Sequence, residues 1–201
     1  MFTGIVVDVG RIEALERGDE DMRLAVATAR LDLSAAHVGD SIAIAGVCLT
    51  AVELGPHRFC ADVSLETLAR TTFGAAAVGQ RVNIEPALRA GDPLGGHLVA
   101  GHVDGVGQLL ARRGDARSEH MRFRVPHELS RYLARKGSIC LDGVSLTINL
   151  VHEDDFEVNL VPHTLTVTTL GELAVGDRVN LEVDLIARYL ERLMLESGRH
   201  P

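Results

Sequence analysis

The sequence predicts a mainly β protein: two small closed barrels in tandem, related by internal duplication, with one α-helix near the C-terminal end. Three observations carry this. First, Ser41-Ile42-Ala43-Ile44-Ala45-Gly46-Val47-Cys48-Leu49-Thr50 returns as Ser138-Ile139-Cys140-Leu141-Asp142-Gly143-Val144-Ser145-Leu146-Thr147, displaced by 97 positions. The same displacement takes Gly4, Val6, Val9 and Gly10 to Gly101, Val103, Val106 and Gly107, and Thr71-Thr72-x-Gly74 to Thr168-Thr169-x-Gly171. It also takes Gly79-x-Arg81-Val82-Asn83-x-Glu85 to Gly176-x-Arg178-Val179-Asn180-x-Glu182. About 26 of the 97 aligned pairs are identical, and a period this long marks a duplicated domain, since solenoid units run about 20–50 residues. Second, each copy is filled with short Val-, Ile- and Leu-rich runs punctuated by Gly. Several short strands in about 90 residues favour a small closed barrel over a sandwich. Third, the copies part company past Leu88, where only the second becomes helical in pattern.

Taken in order, Gly4–Val9, Met22–Thr28, Ser41–Val52, Arg58–Val63 and Arg81–Glu85 read as strands. Leu31–Ala36 and Leu65–Leu68 read as brief helical turns. Gly46 interrupts its strand in a specific way. Ile42 and Ile44 mark the buried phase before it, and Val47, Leu49 and Ala51 mark it afterwards. A one-residue slip of this kind needs a Gly-centred bulge or a tight bend. Gly143 does the same in the second copy. The slip puts Cys48 and Thr50, and in the second copy Ser145 and Thr147, on the face opposite the apolar one.

Past Leu88 the first copy runs Arg89-Ala90-Gly91-Asp92-Pro93-Leu94-Gly95-Gly96, a linker by composition. The second runs from Asp184, a candidate N-cap, into a stripe at Leu185/Ile186, Tyr189/Leu190 and Leu193/Met194. So short a helix is marginal alone and is expected to dock on the barrels or on neighbouring subunits. Residues 1–97 form the first repeat, with its linker at about 88–97. Residues 98–194 form the second, with the helix at about 185–196 and a tail at 197–201.

With 201 residues, 46% of them hydrophobic, the chain has ample material for a core. A net charge of −8 argues against nucleic-acid binding, which needs clustered Lys and Arg. The opening Met1-Phe2-Thr3-Gly4-Ile5-Val6 has no basic region followed by an apolar run, so no secretory signal is expected. No apolar stretch approaches the ~20 residues of a membrane span. Three cysteines, Cys48, Cys60 and Cys140, with no CxxC, suit a reducing compartment and a cytoplasmic protein.

The polar candidates divide unevenly. His97 and His102 flank Gly95-Gly96-His97-Leu98-Val99-Ala100-Gly101-His102, but their spacing fits no zinc pattern, so no metal site is expected. No GxxxxGK[ST] or GxGxxG lies between strand and helix, so nucleotide binding through those motifs is unsupported. A free Cys is ordinarily a packing residue. Cys60 and Cys140 fit that description, because their counterparts are Glu157 and Ala43. Cys48 differs, since it lies on the phase-shifted face beside Thr50 and its counterpart is Ser145. His102 stands where the first copy has Ile5, either an asymmetric functional insertion or a surface histidine.

Several motifs are recognisable together: Met1-Phe2-Thr3-Gly4-Ile5, Gly46-Val47-Cys48-Leu49-Thr50, Glu66-Thr67-Leu68 and Gly95 to Val103. The second copy adds Asp142-Gly143-Val144-Ser145-Leu146-Thr147, Val161-Pro162-His163-Thr164-Leu165 and Val179-Asn180-Leu181-Glu182-Val183-Asp184. In these motifs, which span nearly the whole chain, the sequence resembles the riboflavin synthase family, with its two lumazine-binding repeats. The resemblance implies two six-stranded Greek-key barrels, each binding one 6,7-dimethyl-8-ribityllumazine. It implies transfer of a four-carbon unit between the two lumazines, giving riboflavin and 5-amino-6-ribitylaminouracil, with no metal or organic cofactor. It implies a homotrimer, held in part by the C-terminal helix, with each active site between the N-terminal barrel of one subunit and the C-terminal barrel of the next. Lumazine synthase, which makes the substrate, is a further candidate partner.

Carried over residue by residue, the first-copy contacts are Gly4, Ile5, Val6, Cys48, Leu49, Thr50, Asp62, Val63, Ser64, Leu65, Glu66 and Thr67. The second-copy contacts are Gly101, His102, Val103, Lys136, Ser145, Leu146, Thr147, Asn159, Leu160, Val161, Pro162, His163 and Thr164. Catalytic importance falls on Phe2, Ser41, Cys48, His102, Ser145 and Asp184.

This chemistry suits the residues. The C7 methyl group of lumazine is acidic, so the dismutation needs a proton acceptor, for which a histidine serves near neutral pH. A thiol supplies a nucleophile or donor at the other ring. Two ligands held face to face gain the proximity advantage of an intramolecular reaction. The competing readings are a lumazine-carrying antenna protein of the same family, which would have lost polar residues in one repeat, and the flavin-binding barrel of a reductase, for whose nicotinamide domain the chain has no room.

Overall fold

The computed structural model describes residues 1–19 and 21–197; of the expected tail, residues 198–201 lie outside the described residues. The first barrel comprises β1 (Asp8–Arg17), β2 (Asp21–Ala27), β3 (Ser41–Ile44), β4 (Val47–Leu54), β5 (Arg58–Ser64) and β6 (Arg81–Pro86). Helix α1 (Leu65–Arg70) and a 3-10 turn at Thr72–Ala75 connect β5 to β6. The second barrel repeats this as β7 (Gly105–Asp115), β8 (Ser118–Arg124), β9 (Ser138–Leu141), β10 (Val144–His152), β11 (Asp155–Leu160) and β12 (Arg178–Val183). Helix α2 (His127–Ser130), between β8 and β9, is added, while α3 (Pro162–Val167) and a 3-10 turn at Thr169–Glu172 repeat α1 and its turn. Helix α4 (Leu185–Ser197) follows β12.

Each barrel is closed and antiparallel, the first in the order β1-β2-β5-β4-β3-β6. The Greek-key step is that β5, rather than β3, lies beside β2. Register shifts at Ile12/Ala14 and Ala51/Glu53 recur at Leu109/Ala111 and Ile148/Leu150. Bulges at matching places bend matching strands, which is what a short sheet needs in order to close on itself. Alternation fills the interiors: Val47, Leu49 and Ala51 point into the first core with Phe59 and Ile84, and Phe123, Phe156 and Leu181 fill the second.

The predicted slip at Gly46 is a hairpin turn. Ala45 and Gly46 have φ of 47° and 78°, and Asp142 and Gly143 have 45° and 83°. Two consecutive positive φ values make the two-residue turn whose twist matches that of the flanking strands. Ser41–Val52 is therefore two strands. Two other expectations are corrected. The first strand begins at Asp8 rather than Gly4, because residues 2–6 leave the barrel for its neighbour. Leu31–Ala36 forms no helix. The amides of Ala29, Arg30 and Leu31 all donate to the Asp8 carboxylate, at 2.7, 2.9 and 3.0 Å, and Ser34 N donates to Asp32 at 2.8 Å. Asp8 thereby fixes the entry to the segment, Asp32 takes the Ser34 amide that a helical turn would use, and the backbone closes a turn from Ala36 N to the Leu33 carbonyl at 3.0 Å.

The barrels meet about a pseudo-twofold axis. Phe2 and Val99, 97 positions apart, exchange backbone hydrogen bonds of 2.7 and 3.1 Å. Asn83 donates to the Asp142 carbonyl and accepts from Thr169 N; Asn180 donates to the Ala45 carbonyl and accepts from Thr72 N, at 2.8–2.9 Å throughout. On β6, Val82 and Ile84 face the core, and the outward Asn83 and Glu85 are nonetheless buried, because the other barrel covers them. Helix α4 docks on its own barrel through Arg188 to Asp104 and through Arg131 and Tyr132 to Glu191. Of its apolar residues, Ile186 and Tyr189 are 66% exposed each, and Leu190 is exposed beside them. Among the described residues no helix is long and apolar enough to cross a membrane.

Candidate functional site

The polar arms predicted on β4 and β10 each receive a segment from the other repeat. Cys48 N donates to the Gly101 carbonyl at 2.8 Å, and Ser145 N donates to the Gly4 carbonyl at 2.8 Å. The fit leaves no room for side chains: a Cβ on Gly101 would lie 2.6 Å from the Cys48 Cβ, and one on Gly4 would lie 2.6 Å from the Ser145 Cβ. Val103 packs against the first core and Val6 against the second. The grouping expected from the repeats is thus corrected. Gly101, His102 and Val103 belong with Cys48, and Gly4, Ile5 and Val6 belong with Ser145.

Two buried carboxylates hold these crossing segments. Glu85 accepts from Thr3 N at 2.6 Å, Thr3 Oγ1 at 2.7 Å and Gly4 N at 3.0 Å. Glu182 accepts from Ala100 N at 2.6 Å and Gly101 N at 2.9 Å. Burial raises both carboxyls, against the opposing pull of these donors, and takes Glu182 up to about 7.

Around Cys48 lies a cleft of about 300 Å³, lined by Cys48, Glu66, Thr67, Arg70, Gly101, His102 and Val103 among others. The thiol is half-buried and the His102 ring exposed. Ser64 caps α1 by accepting from Thr67 N at 3.2 Å, so the β5–α1 junction forms one wall. At the other site the Ser145 hydroxyl and His97 Nδ1 are 2.7 Å apart. His97 Nε2 is buried without a hydrogen-bond partner among the described residues. Burial lowers the pKa of His97, the charge of Asp184 opposing, which keeps the ring neutral at neutral pH. A neutral imidazole on a serine hydroxyl can take up and return a proton.

The other predicted residues fall in several places. Phe2 is fully buried between the barrels with Ala43, Val99 and Cys140. Ser41 pairs with Thr50 but lines a neighbouring hollow with Leu31, Pro86 and Leu88. Leu49, Val63 and Leu160 turn their side chains into the cores, leaving only backbone for a ligand. Asp62 is engaged by Arg23 at 2.8 Å. Leu65, Val161, Pro162 and His163 are exposed, Leu146 and Thr164 are half-buried, and Thr147 and Asn159 face outward from β10 and β11. Lys136 Nζ donates to Asn149 at 3.2 Å. Asp184 accepts from Ile186 N at 3.0 Å at the start of α4. Sequence reasoning considered His97 only as a metal ligand and missed Glu85 and Glu182. The duplicated Asn-x-Glu at the end of β6 and β12 was the available signal, since polar residues kept in both copies of so apolar a strand ask for a buried partner.

A twin-barrel chain with a cleft at Cys48 in one copy, and a chemically different Ser145–His97 pair at the equivalent place in the other, is built as a binding protein for small molecules. The lumazine binding domain model matches residues 3–87 and again 100–184. Riboflavin synthase of Photobacterium leiognathi is 46% identical over 194 residues, covering 96% of this chain and 89% of that one. Riboflavin synthase of Mycobacterium tuberculosis is 46% identical over 202 residues, covering 98% of this chain and 100% of that one. The solved structure of LumP complexed with riboflavin superposes with a TM-score of 0.84 at 26% identity, over 91% of this chain and 99% of LumP. The chain belongs to the riboflavin synthase family of lumazine-binding-domain proteins.

Proposed function

We propose that the protein is a riboflavin synthase, a transferase that converts two 6,7-dimethyl-8-ribityllumazines into riboflavin and 5-amino-6-ribitylaminouracil by moving a four-carbon unit from one to the other. The observation that carries this reading is the inequality of two otherwise equivalent places on the twin barrels, Cys48 on β4 beside its cleft and Ser145 on β10 beside His97. The reaction consumes two copies of one molecule and needs each to behave differently. A duplicated fold supplies two similar pockets. Cys48 with His102 in one, and Ser145 with His97 in the other, make them unequal.

In this proposal Cys48 is the nucleophile or donor at the first ring, with His102 moving protons beside it. The neutral His97 acts on the second ring through the Ser145 hydroxyl, with Asp184 favouring the protonated ring. The assembly is a homotrimer, in which the exposed Ile186, Tyr189 and Leu190 of α4 gain stability by packing on copies of the chain, and the first-barrel site of one subunit faces the second-barrel site of the next. Three free cysteines accord with the cytoplasm, and lumazine synthase is a candidate partner as the source of substrate. The antenna reading is disfavoured by identities of 46% to riboflavin synthases and by the polar residues kept in both repeats.

The test is direct. Purified protein mixed with 6,7-dimethyl-8-ribityllumazine is expected to yield one riboflavin for every two lumazines consumed. Lumazine that stays bound and unconverted overturns the proposal.

A further inference from the structure

The duplicated strand-end motif Arg81-Val82-Asn83-x-Glu85 and Arg178-Val179-Asn180-x-Glu182 has no part in the chemistry above, yet its carboxylates are among the most buried charges in the molecule. Glu85 is 5% exposed and Glu182 4%. Among the described residues neither has a basic side chain in its hydrogen-bond set, which consists for Glu85 of Thr3 N, Gly4 N and the Thr3 hydroxyl and for Glu182 of backbone amides at Ala100 and Gly101; the N-terminal ammonium acts on both only through its charge. A buried carboxylate is costly, and two copies of the gene segment have kept it in the same place.

We infer that Glu85 and Glu182 are positioning residues that act crosswise: Glu182 of the second barrel sets the Cys48 cleft of the first, and Glu85 of the first barrel sets the Ser145 site of the second. The inference rests on the reading of these two sites as the ligand pockets. The connection is continuous in each case. Glu182 binds Ala100 N and Gly101 N, the Gly101 carbonyl receives Cys48 N, and the next residue, His102, lines the cleft. Glu85 binds Thr3 N and Gly4 N, the Gly4 carbonyl receives Ser145 N, and the Thr3 carbonyl receives His97 N at 3.1 Å. The His97 ring then meets the Ser145 hydroxyl. A Cβ on Gly96 would lie 2.1 Å from the Thr3 carbonyl oxygen, so the segment carrying His97 is seated directly on the segment that Glu85 holds.

Glutamine is the discriminating substitution. It keeps one acceptor oxygen but turns an NH2 group toward a backbone N–H, so one of the paired amides must move. Two readouts independent of turnover report the two sites. Cys48 is the half-buried thiol while Cys60 and Cys140 are buried, so iodoacetamide alkylation with peptide mapping reads the first site. The titration of the His97 ring, followed by NMR with labelled histidine, reads the second. Alkylation is run at about pH 8, above the value of about 7 to which burial lifts Glu182.

Glu182→Gln is expected to change Cys48 alkylation about tenfold and leave the His97 midpoint in place. Glu85→Gln is expected to raise the His97 midpoint by about one pH unit and leave Cys48 within about twofold. Glu182→Asp, which keeps the charge on a shorter stem, gives a smaller change in the same direction as Glu182→Gln and serves if the glutamine variant does not fold. If each variant disturbs only the probe on its own barrel, or neither probe moves, the crosswise assignment is wrong. Absence of riboflavin formation by the wild type would defeat the catalytic reading and leave these two measurements intact.

Discussion

Gly46 and Gly143 meet back to back where the two barrels touch: a Cβ on Gly46 would lie 2.6 Å from the Gly143 nitrogen, and one on Gly143 would lie 2.9 Å from the Gly46 nitrogen. The hairpin turns that aim Cys48 and Ser145 are therefore also the contact between the barrels. Phe2 with Val99, and Asn83 and Asn180 each donating to the turn of the opposite barrel at Asp142 and Ala45, tie the same line.

Gly46→Ala is expected to destabilise the protein by roughly 2–4 kcal/mol, combining strain at positive φ with a clash against immovable backbone. Gly39→Ala is the control. Its φ of 100° carries similar strain, but among the described residues nothing lies within 4 Å of the added carbon. Urea unfolding of both variants separates the two effects. Equal losses would mean that the barrel contact tolerates the extra atom.

Much of this was legible in the sequence because side-chain period and turn chemistry are local. The slip at Gly46 announced a turn, Asp184 announced α4, and the repeat announced twin barrels. The crosswise placement of residues 2–6 and 99–103 was not legible, for a definite reason. Exchanging equivalent segments between two copies preserves every displacement of 97, so a duplicated sequence says which residues correspond and is silent on which copy each one touches. The same exchange explains why Gly4–Val9 read as a strand of its own barrel. Its apolar pattern is real, but Val6 belongs to the neighbouring core. His97 was overlooked because its counterpart would precede Met1, leaving no repeat to draw attention to it.

The buried carboxylates give stability an unusual dependence on pH. Glu182 has a folded pKa of about 7 against 4.5 for the unfolded group. Between those values the folded state holds a proton that the unfolded state does not, so stability falls as pH rises from about 4.5 to about 7 and is level above that. Full expression of the effect is on the order of 3 kcal/mol. Asp142, raised by burial to about 7, works in the same sense. His97, lowered by burial, works in the opposite sense, since its contribution is present above 6.5 and lost as pH falls through its folded value. The difference between wild type and Glu182→Gln isolates the single group. Unfolding free energies at pH 5 and pH 7.5 are expected to show a shallower decline in the variant, and parallel declines would contradict the assignment.

His97 meets the Ser145 hydroxyl through Nδ1 at 2.7 Å, and its Nε2 is buried without a hydrogen-bond partner among the described residues. Glutamine in its place can still hydrogen-bond the hydroxyl but cannot take up a proton. If the pair handles a proton in the reaction, His97→Gln loses about a hundredfold in turnover, the lower end of what a positioned acid–base group contributes. Lumazine affinity at the Cys48 cleft should be unchanged, because His97 is seated on Thr3 and Ser145 and does not line that cleft. The wild-type rate should also persist below the usual histidine range before falling, since burial holds the ring neutral to lower pH, and that acid limb should vanish in the variant. Wild-type turnover in His97→Gln would reduce the residue to a packing role, and a matching loss of affinity at the Cys48 cleft would show that the two pockets are not independently built.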